Sequence, residues 1–392
     1  MRNHPAAGTG GAGFKALKVA IIMPLAEQRG GGELMVLHLM QQGRGAGVEW
    51  LVIFLEDGPM VGQVRDLGVA AAVVRAGRLR ELPRFLGAVA AIARLARREN
   101  VQMILGWMNQ GQLYGAPAAK LAGIPAAWYQ LGIALAPGWN DRMATRLPAA
   151  GILTCSQSGA DAQAQILPKR PLRVVYPGVE LERFEPEQLP SPAEARQRLG
   201  LPAAGPLIGI VGRLQRWKGM HVLVEALPEI VRAHPDTHCV VVGGDHALEP
   251  DYPAFLRGRI EALGLANKVT LAGLQHDVPE WMQAMDVVVH ASDHEPFGIV
   301  VIEAMALGKP VVAGDAAGPT EIITPGVDGL LTPYGDAPAL AQAVLRYLDD
   351  PAFAARTGAA ARQRAQDFST RRYARNLIAA LAELLPHPLT QG

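Results

Sequence analysis

The chain has 392 residues, 49% apolar and 19% charged, with a formal net charge of +1. It is too long for one ordinary core and too apolar for a disordered segment, so two folded domains of about 150–200 residues each are expected. Its two cysteines, Cys155 and Cys239, exclude a disulfide framework or a cysteine-built metal cluster and read as buried free thiols. The charge is unevenly divided: residues 1–175 carry 19 Lys and Arg against 10 Asp and Glu, and residues 176–392 carry 18 against 26.

In chain order, residues 1–14 hold Gly, Ala and Pro without an apolar signal-peptide run and read as a flexible tail. The stretch Gly8-Thr9-Gly10-Gly11-Ala12-Gly13 matches G-x-G-x-x-G, but it precedes the first strand, where it cannot set a pyrophosphate on a helix N-terminus. Lys18 to Met23 predicts a buried strand, Gly30 to Gly32 a turn, and the residues from Glu33 an amphipathic helix. Strands follow at Trp50–Leu55, Ala71–Val74, Val101–Leu105, Ala126–Tyr129 and Ile152–Cys155, with helices at Leu82–Glu99 and Ala116–Ala122. Such alternation predicts an α/β fold, a parallel sheet with helices on both faces.

After Tyr176-Pro177-Gly178 and a Pro- and Glu-rich stretch to Pro192 the cycle restarts, with strands at Leu207–Val211, His238–Val242, Val269–Leu271, Val287–His290 and Val311–Ala313. Two domains are expected, 15–178 and 179–371, followed by an amphipathic tail from Arg371 to Leu385 whose apolar face needs a partner. Nowhere do 18 apolar residues run uninterrupted, so no membrane-spanning helix is expected.

The chemistry-bearing residues cluster in the second half. His234 and His238 are four apart, but Pro235 lies between them and no third ligand is near, so a surface loop is expected there and no metal site. The chain has no Asp-x-Asp to hold a divalent ion on a diphosphate, which leaves charge neutralisation to cationic side chains and backbone amides. The strand Leu207–Val211 runs into Gly212-Arg213-Leu214-Gln215-Arg216-Trp217-Lys218-Gly219, placing Arg213 and Lys218 beyond a strand's carboxyl end, where open α/β sheets bind ligands. Alone, this segment reads equally well as a solvated basic turn.

In Asp293-His294-Glu295-Pro296-Phe297-Gly298-Ile299-Val300, Pro296 and Gly298 mark a loop opening a helix. The amides of Gly298, Ile299 and Val300 then form an anion site. Glu295 precedes that helix and Glu303 lies inside it; helix capping and a solvated face are the bland alternatives for the two.

These segments, Gly212-Arg213-Leu214 with Lys218-Gly219 and Glu295-Pro296-Phe297-Gly298 with Glu303-Ala304-Met305, strongly resemble the retaining family 4 glycosyltransferases and their E-x7-E motif. Gly308-Lys309-Pro310-Val311-Val312-Ala313, Gly318-Pro319-Thr320-Glu321 and Asp328-Gly329-Leu330-Leu331 extend the match in order. In the first half, Gly30-Gly31-Gly32-Glu33 resembles the family's cleft-facing glycine loop. The resemblance spans residues 18 to about 385 and is more specific in the second half.

The resemblance implies two facing Rossmann-like domains (GT-B), the first for the acceptor and the second for a nucleotide-diphosphate sugar, with a C-terminal helix at about 372–388 returning across the first. It implies hexose transfer to a glycan or lipid-linked acceptor with retention of configuration, without metal or other cofactor. Arg213 and Lys218 would bind the diphosphate and stabilise the leaving group, helped by Gly31, Gly212 and the Gly298–Val300 amides. Glu295 would contact the donor sugar near its reacting carbon, and Glu303 the ribose hydroxyls. Where many relatives carry a histidine in the first domain this chain has Leu131; either Gln130 or Asn109 substitutes toward the acceptor, or activity is reduced. A catalytically weak nucleotide-sugar-binding partner subunit, and a sugar phosphorylase or epimerase on the same fold, are the rival readings.

Between Arg75 and Glu99, Arg75, Arg78, Arg80, Arg84, Arg94, Arg97 and Arg98 interleave with Leu82, Phe85, Leu86, Val89, Ile92 and Leu95. That pattern suits either a helix covering the first sheet or a basic face on an anionic membrane. The expectation is a cytoplasmic protein, peripheral on the inner membrane face, with no nucleic-acid partner.

Overall fold

A computed structural model describes residues 17–28, 30–43, 47–77, 80–166 and 170–385. The tail expected at 1–14, its G-x-G-x-x-G run and residues 386–388 of the expected last helix lie outside the described residues.

The first sheet contains β1 (Leu17–Met23), β2 (Val48–Phe54), β3 (Ala70–Val73), β4 (Met103–Trp107), β5 (Ala126–Gln130), β6 (Gly151–Thr154) and β7 (Leu172–Val174). The second contains β8 (Leu207–Val211), β9 (His238–Val242), β10 (Val269–Gly273), β11 (Val287–His290), β12 (Val311–Gly314) and β13 (Leu330–Thr332). Their orders are β3-β2-β1-β4-β5-β6-β7 and β10-β9-β8-β11-β12-β13. Every pairing is parallel, as between β1 and β2, which run in step from Leu17 opposite Val48 to Met23 opposite Phe54. Each order reverses direction beside its first strand, which creates the crevice where doubly wound sheets bind ligands.

The strands form from unbroken apolar runs such as Val19-Ala20-Ile21-Ile22-Met23, buried on both faces because helices cover both sides. The helix Leu82–Arg98 buries Ala88, Val89, Ile92, Ala93 and Ala96 against the first sheet, while its arginines stay exposed. Leu82 and Leu86 are left 59% and 55% exposed.

Sequence reading placed β4 two residues early and began the next helix at Ala116, whereas it runs Met108–Ala122. The polar, glycine-containing run Met108-Asn109-Gln110-Gly111-Gln112 imitates a loop, yet Gly111 lets the helix press against the β1 backbone at Ile22. The three-residue edge strands β7 and β13 escaped because so short a run carries no periodicity.

The chain crosses between the sheets twice, after β7 and at Phe368. The crossings bond to each other through Val179 N–H to Phe368 O (2.8 Å) and Thr370 N–H to Val179 O (3.1 Å). The last helix, Thr370–Glu383, then packs on the first-half helix Gly31–Gln42, burying Tyr373, Ala374, Leu377 and Leu381, which supplies the partner its apolar face required. Cys155 and Cys239 are both buried free thiols.

Candidate active site between the two sheets

The carboxyl ends of both sheets face a cavity of about 370 Å³, within the range of small-molecule sites. Two helix N-termini open onto it. From the first half, Gly30, Gly31 and Gly32 start the helix Gly31–Gln42; from the second, Gly298 caps the helix Ile299–Ala306. Gly298 has φ of 109°, a conformation that favours glycine, and it turns the chain sharply enough to present the first helical amides to the cavity. Among the described residues the N–H groups of Gly298, Ile299 and Val300 meet no backbone acceptor, as expected for a helix's first turn. Gly31 faces Ile299 so closely that an added Cβ would lie 2.7 Å from its Cδ1, so the two termini meet across the cleft.

Arg213, Trp217 and Lys218 enter from the loop after β8. The short 3-10 turn Arg216–Lys218 ends at Gly219, whose φ of 73° starts the helix Met220–Ala233 and brings its backbone against Ala291. Lys218 Nζ lies over the Trp217 ring, 4.1 Å from its centroid, and forms an ion pair with Glu295 Oε2. His294 adopts φ of 46°, unusual for a residue with a side chain, immediately before Glu295 turns into the cleft.

Burial by itself raises the Glu295 carboxyl pKa, but the Lys218 ammonium and a hydrogen bond from His290 outweigh it and hold the group well below the usual carboxylate range. Glu295 is therefore a held anion, and its side chain does not cap the helix that follows. Cys155, also on the cavity wall, has its thiol pushed up to about 12 by burial and is chemically quiet.

Of the residues singled out from sequence, Gly31, Gly212, Arg213, Lys218, Glu295, Gly298, Ile299 and Val300 all line this cavity, as does Leu131. Glu303 does not; it sits one turn further along its helix, and burial pushes its carboxyl up to about 7, only partly offset by Arg183. Asn109 and Gln130 also lie outside the cavity wall. Asn109 Nδ2 donates to Asp141 Oδ1 (2.5 Å), and Gln130 is buried at the end of β5. His290 was missed, although a histidine ending a strand at the ligand-binding edge of a sheet is a signal the sequence contained. His234 and His238 go separate ways, to Asp349 and Thr270.

Residues 29–183 match the model of Glycosyltransferase Family 4, and residues 192–364 that of Glycosyl transferases group 1. The lipopolysaccharide core biosynthesis mannosyltransferase LpsB of Rhizobium meliloti (strain 1021) is 28% identical over 63% of this chain and 69% of its own length. A D-inositol 3-phosphate glycosyltransferase of Corynebacterium urealyticum is 37% identical over 46% of this chain, and the match spans 44% of that enzyme. Anabaena HepE, solved in complex with UDP-glucose, superposes with a TM-score of 0.81 at 28% identity, covering 94% of this chain and all of that one. With both halves matched by the family's models and two facing Rossmann-like sheets closing on the E-x7-E segment, the chain belongs to the family 4 glycosyltransferases of GT-B fold.

Proposed function

We propose that this glycosyltransferase moves a hexose from a nucleotide-diphosphate sugar to a glycan or lipid-linked acceptor, with retention of configuration and without a metal ion. The observation that carries the reading is the convergence of Arg213, Lys218 and the Gly298–Val300 amides on one cavity, a cationic and dipolar lining suited to a diphosphate. As the bond to the sugar breaks, negative charge grows on the departing phosphate, and these donors stabilise it there. Glu295, kept ionised, faces the positive charge that develops at the sugar. Acceptor attack from the face the phosphate leaves gives retention, with the phosphate oxygen taking the acceptor's proton. HepE, crystallised with UDP and with UDP-glucose, makes uridine diphosphate sugars the first donors to test.

In this reading residues 15–178 with the last helix form the acceptor domain and 179–371 the donor domain. Glu303 reaches the ribose once the donor is seated. Leu131 stands in the cleft wall without a hydrogen-bonding group, so acceptor contacts come from elsewhere in the first domain. The test is a screen of nucleotide sugars with and without EDTA, with the product anomer read by NMR. An axial product from an axial donor in the presence of EDTA supports the proposal. Inversion, or activity that returns only with a divalent ion, refutes its corresponding part.

A peripheral membrane site on the first domain is part of the same proposal. No helix among the described residues is long and apolar enough to cross a membrane. Leu82 and Leu86 instead stand exposed beside Arg84 on a helix that carries Arg94 and Arg98 outward.

A further inference from the structure

His290 has no part in the mechanism proposed above, yet its ring is buried in the cavity wall at the carboxyl end of β11, 2% exposed. Nε2 lies 3.3 Å from Glu295 Oε2 and 3.2 Å from Ser292 Oγ, while Nδ1 is buried without a hydrogen-bond partner. An unpartnered Nδ1 is tolerable as a bare lone pair and costly as a buried N–H, so the ring rests in the tautomer that carries its proton on Nε2 and donates it.

The same carboxylate oxygen also meets the Lys218 ammonium, so Glu295 has two partners on one atom. They differ in what they can do next. Lys218 stands on a 3-10 turn at the end of a flexible four-carbon stem beside the cavity, and a diphosphate offers it more negative charge than one carboxylate. His290 is a short, stiff side chain on a central strand and stays where it is. Once Lys218 turns to a diphosphate, the buried Glu295 carboxylate loses its counter-charge and would drift or protonate unless something else held it.

We propose that His290 is a positioning residue that keeps the Glu295 carboxylate in place when Lys218 leaves it for the donor diphosphate. The inference rests on the roles given to Lys218 and Glu295 above. The resting Lys218–Glu295 pair is then a closed form of the site. The donor opens it, and His290 makes the exchange possible without moving the carboxylate. Among the described residues Glu295 is the charged group that meets the ring, and Lys218 meets the same carboxylate oxygen; Arg213 lines the same cavity, and burial pushes the Cys155 thiol on its wall up to about 12.

Two measurements test this. In kinetics, His290→Leu should lower kcat about tenfold and leave the donor KM within about threefold, because the missing bond matters once Lys218 has left; His290→Gln, with an amide N–H near the Nε2 position, should restore most of the loss. A rise in KM at constant kcat, or a kcat within twofold of the parent, overturns the proposal. In NMR, the Nε2–H resonance of His290 should move downfield when Lys218→Met removes the competing ammonium and again when UDP is added to the parent protein, but not in Lys218→Met combined with Glu295→Gln. An unmoved resonance in Lys218→Met overturns the proposal whether or not any sugar is transferred. A moved resonance in a protein that turns over no nucleotide sugar keeps His290 as the holder of Glu295 and refutes the transfer reading.

Discussion

At the scale of single residues, burial pushes the Glu295 and Glu303 carboxyls in the same direction, upward, and their charged neighbours decide where each one settles. Glu295 is kept charged by Lys218 and His290, whereas Glu303, with only Arg183 to help, is pushed up to about 7. A carboxyl whose folded pKa is raised stabilises the fold fully below its ordinary value near 4.5 and loses that contribution as pH rises through 7. Thermal stability should therefore fall between pH 5 and 7.5, and Glu303→Gln should flatten that slope; an identical slope in the variant would remove Glu303 as its source. If Glu303 takes the ribose hydroxyls as proposed, the ionised carboxylate, with both oxygens accepting, binds them better than the acid, so donor affinity should rise from pH 6 to 8 in the parent and not in Glu303→Gln, measured by calorimetry. Lys218→Ala should cut donor turnover by about 10², the size of losing an oxyanion donor. Near-native turnover would sink its assignment. Arg213, Lys218 and Glu295 were legible because a turn after a strand and a loop before a helix are local patterns. His290 carried the weaker signal of a histidine ending a strand at the ligand-binding edge, and it went unread because such a residue resembles core until the second chain segment that touches it is known.

Among the elements, the helix Leu82–Arg98 shows how one pattern serves two ends. Its inner stripe covers the first sheet, as covering helices of α/β domains must, and Leu82 and Leu86 remain outside that contact at its first turns. If those turns meet an anionic bilayer, the protein should sediment with anionic vesicles at low salt and be released at high salt. Replacing Arg84, Arg94 and Arg98 with Gln should abolish this, each basic residue contributing about 1 kcal/mol near the surface. Leu82→Ser with Leu86→Ser should weaken the salt-resistant remainder. Indifference to anionic vesicles at low ionic strength would leave this helix a cover for the sheet and nothing more. The helix from Met108 teaches the reverse lesson: its first turn looked like a loop because Gly111 is there for close contact with β1 and Asn109 for a hydrogen bond to Asp141, which propensity does not register.

For the whole molecule, the seam between the halves is held by a carboxylate. Glu321, on the second-half helix Gly318–Ile322, accepts from Gln157 N–H (2.7 Å), Ser158 N–H (2.9 Å) and Ser158 Oγ–H (2.9 Å) at the start of the first-half helix Gln157–Ala164. It thus satisfies orphan donors of a helix that belongs to the other sheet. Glu321→Ala should cost about 1–2 kcal/mol of stability and speed amide exchange at Gln157 and Ser158. Unchanged exchange there would mean the contact does not hold the seam. By itself the sequence determined the two alternating α/β units, most of their strands and the cationic loop and helix opening that face the cleft, because apolar period, turn residues and strand-end chemistry are properties of short stretches. Only the tertiary structure decided that Glu321 clasps a helix 164 residues away, that Lys218 and His290 share one oxygen of Glu295, and that Asn109 and Gln130 stand outside the cavity. These are meetings between segments distant in the chain, fixed by how sheets and helices pack, and no local pattern encodes the partner.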